Sequence, residues 1–400
     1  MELVSGRIFG NELRYLEEVL LSEFRTSKSS VMSSRLEKAF AEKFEREFAI
    51  TFVNGTATMH AALEALGVGP GDEVIVPALT MSATSFAVLQ CNATPVFADV
   101  DPKTYQISAS SILSLLTTKT KAIITVALYG LSPDMDPILE LAKKRGLSVI
   151  EDNAECFLGR YKGQVVGSLG DFASFSFQSS KHLTCGEGGI LVTDNLELAN
   201  KVRKVQALGY AGVDAVKGKM SKQDIQDPNY SRHLTMGWNY RMSELCSAVA
   251  LAQLENIECL VNLRLQAAKL FSEAIIDFED WFVPQAVGEN YQHSYWTWVA
   301  RLEHPNVSWH EFRDRFVSLG GDGIYAAWKV GYLEPMFSNM NLQGREMFID
   351  PKNRSRYKAG ACPIAERLQG KLLQFKTSYW NHEDAERQAN ILRSTLSSFN

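Results

Sequence analysis

Phe175-Ser176-Phe177-Gln178-Ser179-Ser180-Lys181-His182-Leu183-Thr184-Cys185-Gly186-Glu187-Gly188-Gly189 joins two apolar runs through a polar loop that holds a single lysine. An apolar run ends on Ser176, Lys181 follows five residues later, and a Gly-Glu-Gly-Gly turn opens the next apolar run. A lysine held among small and apolar residues loses its proton more readily than a solvated one, and the free amine attacks carbonyl carbons. In an arbitrary loop it would be a solvated charge, so the weight rests on its company.

That company lies at the ends of other strands. Leu147 to Glu151 reads as a strand, and Asp152 follows it. A carboxylate inside an apolar stretch is expensive to bury unless paired. Asp152 serves equally as a structural cap or as the partner of a cation or a protonated ring nitrogen. Glu151 points to the opposite face. Phe48 to Val53 reads as another strand, followed by Asn54-Gly55-Thr56-Ala57 at the start of a helix. Free N–H groups and the positive end of the helix dipole make such a start either a plain cap or an anion cradle. No G-x-G-x-x-G stands there, which argues against a dinucleotide site. A phosphate cradle, a strand-end acid and an amine are the parts that hold pyridoxal 5'-phosphate.

The surrounding pattern supports an open sheet. Helices are expected at 11–24, 35–47, 56–66, 82–91, 108–117, 134–145 and 195–207. Strands are expected at 48–53, 73–77, 95–98, 122–126, 147–151, 172–177 and 189–193. Strands alternating with amphipathic helices imply an α/β fold with a mostly parallel sheet covered on both faces. The pattern fades into a polar loop over 210–235, and one long helix runs from about Met242 toward Ile275. Beyond it, strand-like 295–302 and 323–328 mix with helical 308–319 and 382–397. The expected division is 1–261 as a large cofactor domain and 262–400 as a smaller α+β domain.

Composition narrows the function. The 400 residues carry 41 Lys+Arg against 46 Asp+Glu, a net charge of -5. A nucleic-acid partner is not expected, since such a binder carries a basic excess. Lys143-Lys144-Arg145 and Lys201, Arg203 and Lys204 read as solvated helix faces. The six cysteines form no C-x-x-C pair and have no histidine cluster beside them, so neither a zinc site nor a disulfide framework is expected. That cysteine usage suits a reducing cytoplasm. Met1 to Gly10 shows no secretory apolar core, and no stretch approaches the roughly 20 apolar residues that span a membrane.

The lysine segment resembles the DegT/DnrJ/EryC1/StrS family of sugar aminotransferases. Gly69-Pro70-Gly71-Asp72-Glu73-Val74-Ile75-Val76-Pro77, Glu151-Asp152-x-Ala154 and Gly237-x-Asn239-Tyr240-Arg241-Met242 carry the same resemblance, in family order over about residues 50 to 255. It implies fold type I of the pyridoxal-phosphate transferases, with a mixed seven-stranded sheet, a smaller C-terminal domain and a homodimer with shared active sites. Lys181 then matches the lysine that bonds the cofactor, and Asp152 the acid that pairs with the ring nitrogen. Gly55, Thr56 and Ser176 match phosphate contacts, with Ala57 adding a backbone N–H. Asn239 matches an asparagine that reaches the neighbouring subunit's phosphate.

Two positions depart from the family. Met81 replaces the usual ring-stacking aromatic, and Glu155 replaces a Gln or His beside the cofactor's phenolic oxygen. A carboxylate there must be neutral, turned away, or tuning the cofactor's absorbance. The resemblance implies a ping-pong transaminase taking the amino group from glutamate or glutamine to a nucleotide-linked ketosugar. A cyclitol ketone is the alternative acceptor, because Phe177-Gln178-x-x-Lys181 is similar to the cyclitol branch. Two rivals are a sugar dehydratase, in which His replaces the lysine, and a non-catalytic regulatory relative. Counting back from Gly186-Glu187-Gly188-Gly189 puts Lys181, not His182, at the catalytic position. Tyr325, Trp328 and Lys329 lie in a loop where a sugar or its diphosphate could touch, or where a packed turn could stand.

Overall fold

The strands sort their side chains between two faces. In Thr120–Val126, Ala122, Ile124 and Val126 join one apolar core while Ile123 joins another. Phe172–Ser176 does the same, with Phe172 on one side and Ala173 and Phe175 on the other. Period-two alternation with both faces buried is what a sheet between two helical layers requires.

The computed structural model describes residues 6–24, 31–218 and 220–399; residues 1–5, half of the Met1 to Gly10 stretch in which no secretory core is expected, lie outside the described residues. Its strands are β1 Phe48–Phe52, β2 Glu73–Pro77, β3 Thr94–Ala98, β4 Thr120–Val126, β5 Ser148–Asp152, β6 Arg160–Tyr161, β7 Gln164–Val165, β8 Phe172–Ser176, β9 Gly189–Thr193, β10 Phe282–Pro284, β11 Tyr291–Gln292, β12 Thr297–Leu302, β13 Ile324–Ala326 and β14 Leu372–Lys376. The seven-stranded sheet has the order β1-β9-β8-β5-β4-β2-β3. Only β9 runs against the others, so the sheet is mixed and mostly parallel, as expected. Register aligns Val126 with Asp152 and Asp152 with Ser174, which brings the strand ends to one edge.

The helices are α1 Asn11–Leu21, α2 Met32–Lys43, α3 Gly55–Ala65, α4 Ala83–Gln90, α5 Ala109–Leu115, α6 Met135–Arg145, α7 Leu196–Gln206, α8 Lys222–Gln226, α9 Glu244–Leu254, α10 Ile257–Ala274, α11 Trp309–Ser318, α12 Pro335–Ser338, α13 Pro351–Arg354, α14 Pro363–Gln369 and α15 His382–Ser397. The long helix expected over 242–275 is two helices. Asn256 turns to φ -120 and its side-chain amide donates to the Ala252 carbonyl at 3.0 Å, a side-chain bond that competes with the helix ladder. The polar 210–235 stretch is mostly loop but holds α8, closed by a capping box on Ser221. α2 starts three residues earlier than expected because Glu244, far along the chain, accepts the N–H of Met32.

Behind the lysine segment sits an aromatic cluster. Phe44 stacks on Phe40 at 4.2 Å, and Phe175 meets Phe40, Phe44 and Phe157 at 4.6 to 5.3 Å. Truncating one such buried ring to Ala costs about 3–5 kcal/mol, so this wall holds the strand that feeds the loop. The C-terminal third adds an antiparallel sheet, β10-β12-β14-β13, against α10, α11 and α15. Tyr332, Phe337 and Tyr357 return to pack around Phe97 of β3. No helix among the described residues is long and apolar enough to cross a membrane.

Candidate active site

A cleft of about 450 Å³ opens at the strand ends, lined by Asn54, Gly55, Thr56, Met81, Asp152, Glu155, Ser176, Lys181, Glu187, Trp296 and Trp328 among others. Its first wall is the start of α3. Asn54, extended at φ -168, caps the helix by accepting the Ala57 N–H at 2.9 Å. The Ala57 N–H is thus engaged by the cap, and its side chain is buried. Gly55 is needed for space. A Cβ there would stand 3.0 Å from the Ser176 Cβ, and a Cβ on Gly189 would stand 2.7 Å from the Asn54 carbonyl carbon. These two glycines let β8, β9 and the α3 start close together.

Asp152 ends β5, 5% exposed, and accepts from the Thr84 hydroxyl at 2.9 Å and the Ala154 N–H at 3.2 Å. Burial pushes its carboxyl up; the Ala154 N–H, Thr84 and the Lys181 amine pull it back. Glu151 does face the other way, accepting the N–H groups of Gly167, Leu169 and Gly170 at 2.7 to 2.9 Å.

Glu155 is not turned away. It is 4% exposed, accepts the Tyr129 N–H at 2.9 Å and stands 3.6 Å from the Lys181 Nζ. Burial pushes its carboxyl up to about 6, against the Lys181 charge and the Tyr129 N–H. The Lys181 Nζ also lies 4.4 Å above the Trp296 ring, so the amine sits between a carboxyl and an aromatic face. The loop backbone is clamped from outside. Buried Arg264 donates to the carbonyls of Ser180 at 3.0 Å and Lys181 at 3.3 Å, and Arg7 donates to those of Ser179, Lys181 and His182. His182 is fully buried behind the loop, its Nε2 2.9 Å from the Ser294 carbonyl oxygen. Burial holds its imidazole well below the usual range.

Met81 lines the cleft and is 50% exposed. Asn239 is exposed and does not line this chain's cleft; it pairs instead with Ala207 in an isolated bridge. A second cavity of about 360 Å³ adjoins the cleft, sharing Ser180, Trp296 and Trp328 and adding Arg264, Tyr325, Gln374 and Lys376. Lys329 lines neither cavity. Sequence reasoning did not single out Thr84, Tyr129, Trp296 or Arg264. Thr84, Trp296 and Arg264 reach the site from other elements, while Tyr129, just past the end of β4, contributes a backbone N–H that its residue type does not announce.

With a lysine amine, a strand-end acid and a helix-start cradle in one cleft of a mixed seven-stranded sheet, the chain belongs to the DegT/DnrJ/EryC1/StrS aminotransferase family, whose model matches residues 7–374. It is an aminotransferase. It is similar to the GDP-perosamine synthase of Caulobacter vibrioides, 37% identical over 303 residues, 76% of this chain and 77% of that protein. The GDP-perosamine synthase of Escherichia coli O157:H7 is 41% identical over 266 residues, 66% of this chain and 69% of that one. The solved aminotransferase from Psychrobacter cryohalolentis superposes with a TM-score of 0.85 at 27% identity, over 100% of this chain and 99% of that one.

Proposed function

We propose that this aminotransferase uses pyridoxal 5'-phosphate to move an amino group from glutamate or glutamine to a nucleotide-linked ketosugar. The similarity to GDP-perosamine synthases favours a GDP-linked acceptor. The observation that carries the reading is the convergence of Lys181, Asp152 and the α3 start on one cleft. The residues fit the group: the α3 start offers a close-packed cradle for a phosphate, and buried Asp152 calls for a cationic partner. When bound, the cofactor supplies an aldehyde for the amino group and a protonated ring that draws off electron density.

The chain's residues supply the rest. Gly55, Thr56 and Ser176 hold the phosphate. Asp152, oriented by Thr84 and the Ala154 N–H, keeps the ring nitrogen protonated. Lys181 would hold the cofactor, and its free Nζ would carry a proton at the donor's α-carbon. Glu155 faces that amine at 3.6 Å and, while neutral, could donate a hydrogen bond within the cleft. Trp296 covers the amine and excludes water. His182 points out of the cleft, which weighs against the dehydratase rival.

We also infer a homodimer in which Asn239, exposed and not among the residues that line its own cleft, reaches the partner's phosphate. The division into 1–261 and 262–400 falls within α10, whose residues enter two cores. Six free thiols support a reducing, cytoplasmic setting. The test is a panel of nucleotide-linked ketosugars and cyclitol ketones with glutamate or glutamine as donor. Amination of a GDP-linked ketosugar is the expected result; amination of a cyclitol ketone alone overturns the acceptor. Lys181→Ala and Asn239→Asp subunits, each poor alone, should regain about half of wild-type activity per dimer when coexpressed, because one of two shared sites escapes both defects. An active monomer contradicts the shared site.

A further inference from the structure

His60 and Glu64 stand one turn apart on the same face of α3, and Cys91 follows the last residue of α4. One donor atom from each, a His60 ring nitrogen, a Glu64 carboxylate oxygen and the Cys91 Sγ, lie within 4.8 Å of one another. His60 is 1% exposed and Cys91 6%, while Glu64 keeps part of its surface in solvent. The ring and the carboxylate are already oriented. His60 Nδ1 is 3.0 Å from the Tyr240 hydroxyl, and Trp238 Nε1 donates to Glu64 Oε1 at 3.3 Å. The other ring nitrogen, Nε2, is buried and completes no hydrogen bond, although Glu64 Oε1 stands 3.1 Å from it. The Cys91 thiol makes a long contact, 3.9 Å to the His60 carbonyl oxygen.

We propose that His60 Nε2, a Glu64 oxygen and the Cys91 Sγ bind a divalent cation of the zinc class, which staples α3 to the end of α4. Imidazole, carboxylate and thiolate together suit zinc, and three protein donors leave a fourth position for water. A hydrogen bond on one ring nitrogen, here Nδ1 with Tyr240, holds the other in place as a ligand. Zinc with bonds of about 2.0 to 2.3 Å keeps neighbouring donors about 3.3 to 3.8 Å apart, so no pair has to close by more than about 1.5 Å. The Glu64 side chain, 31% exposed, has room for that adjustment.

On binding, the Cys91 thiol passes its proton to solvent and its sulfur bonds the metal, so one thiolate and one carboxylate balance the two positive charges. The sequence shows no adjacent set of this kind, because Cys91 is 31 residues from His60 and the packing of α4 on α3 supplies the meeting. The staple bears on the cleft. α3 starts at Gly55 and Thr56, which line it, and the Tyr240 that orients His60 follows Asn239.

The test incubates the resting holoenzyme with zinc sulfate, without an amino donor, passes it through a sizing column and measures bound metal by elemental analysis. Wild type should keep one zinc per chain, and Cys259→Ser, at an exposed thiol, should keep as much. Cys91→Ser and Glu64→Gln should each bind at least tenfold more weakly in competition with a chromophoric chelator. Glu64→Gln retains an acceptor for Trp238, and circular dichroism checks the fold of each variant. Cobalt in place of zinc should give the visible bands of a tetrahedral thiolate site in wild type and not in Cys91→Ser. No metal kept by wild type, or equal binding by Cys91→Ser and Glu64→Gln, overturns the proposal without touching the aminotransferase reading.

Discussion

The cofactor cleft and the cavity beside it share a wall of Trp296 and Trp328, stacked at 5.9 Å and 12°, yet they are built differently. The cleft is lined by strand ends and the first turn of α3, with Asp152 fixed at the end of β5 and Lys181 on a loop that Arg264 and Arg7 clamp. The cavity is lined by side chains of α10, β13 and β14, including Arg264, Tyr325 and Gln374. Arg264 belongs to both regions, since it closes the cavity while clamping the Lys181 loop. The difference is between groups held at a sheet edge and side chains that can be exchanged without disturbing it; on the proposed reading, the first do the chemistry and the second meet the acceptor.

Variants on either side should therefore fail in different ways. Lys181→Ala should have the largest effect, a loss of at least about four powers of ten in both half-reactions, because the proton carrier is removed. Stopped-flow measurement of each half-reaction checks it. Asp152→Asn should keep the cofactor but lose about three powers of ten in kcat, equivalent to about 4 kcal/mol of transition-state stabilisation. A near-normal rate would remove Asp152 from the chemistry. Tyr325→Ala, at a residue that lines the cavity and not the cleft, should instead raise the acceptor KM about tenfold and leave the donor half-reaction alone, which is about 1.4 kcal/mol of binding. Equal losses in both half-reactions would erase the distinction between cleft and cavity.

Glu155→Gln should give the smallest effect, seen in the pH dependence. The Glu155 carboxyl is raised to about 6 by burial. As pH rises, the unfolded chain gives up this proton before the folded one, so stability falls as pH passes from the ordinary carboxyl value of 4.5 through about 6. Melting of cofactor-stripped protein between pH 5 and pH 8 should show Glu155→Gln gaining on wild type as pH rises. A constant difference between the two contradicts the buried, raised carboxyl.

What was legible in the sequence tracks the same division. The lysine loop, Asp152 and the α3 start stand in contiguous motifs at the ends of apolar runs, and the fold brings them together as expected. The break between α9 and α10 carries neither Pro nor Gly; it depends on an Asn256 side chain that could equally have faced solvent. The direction of Glu155 was open because the turn after β5 decides it, through the Tyr129 N–H on another segment. The engagement of the Ala57 N–H by Asn54, three residues back, is a side-chain cap that the motif alone leaves open. Arg264 and Trp296 reach the loop from more than 80 residues away, and no local pattern marks such a contact.

The central claim is that Lys181 is the amine that bonds the cofactor. Borohydride reduction of the holoenzyme followed by peptide mapping tests it most directly. The account predicts that the reduced cofactor's mass appears on the peptide containing Lys181 and is absent from that peptide in Lys181→Ala. The same mass on any other lysine, or on none in protein saturated with cofactor, would contradict it.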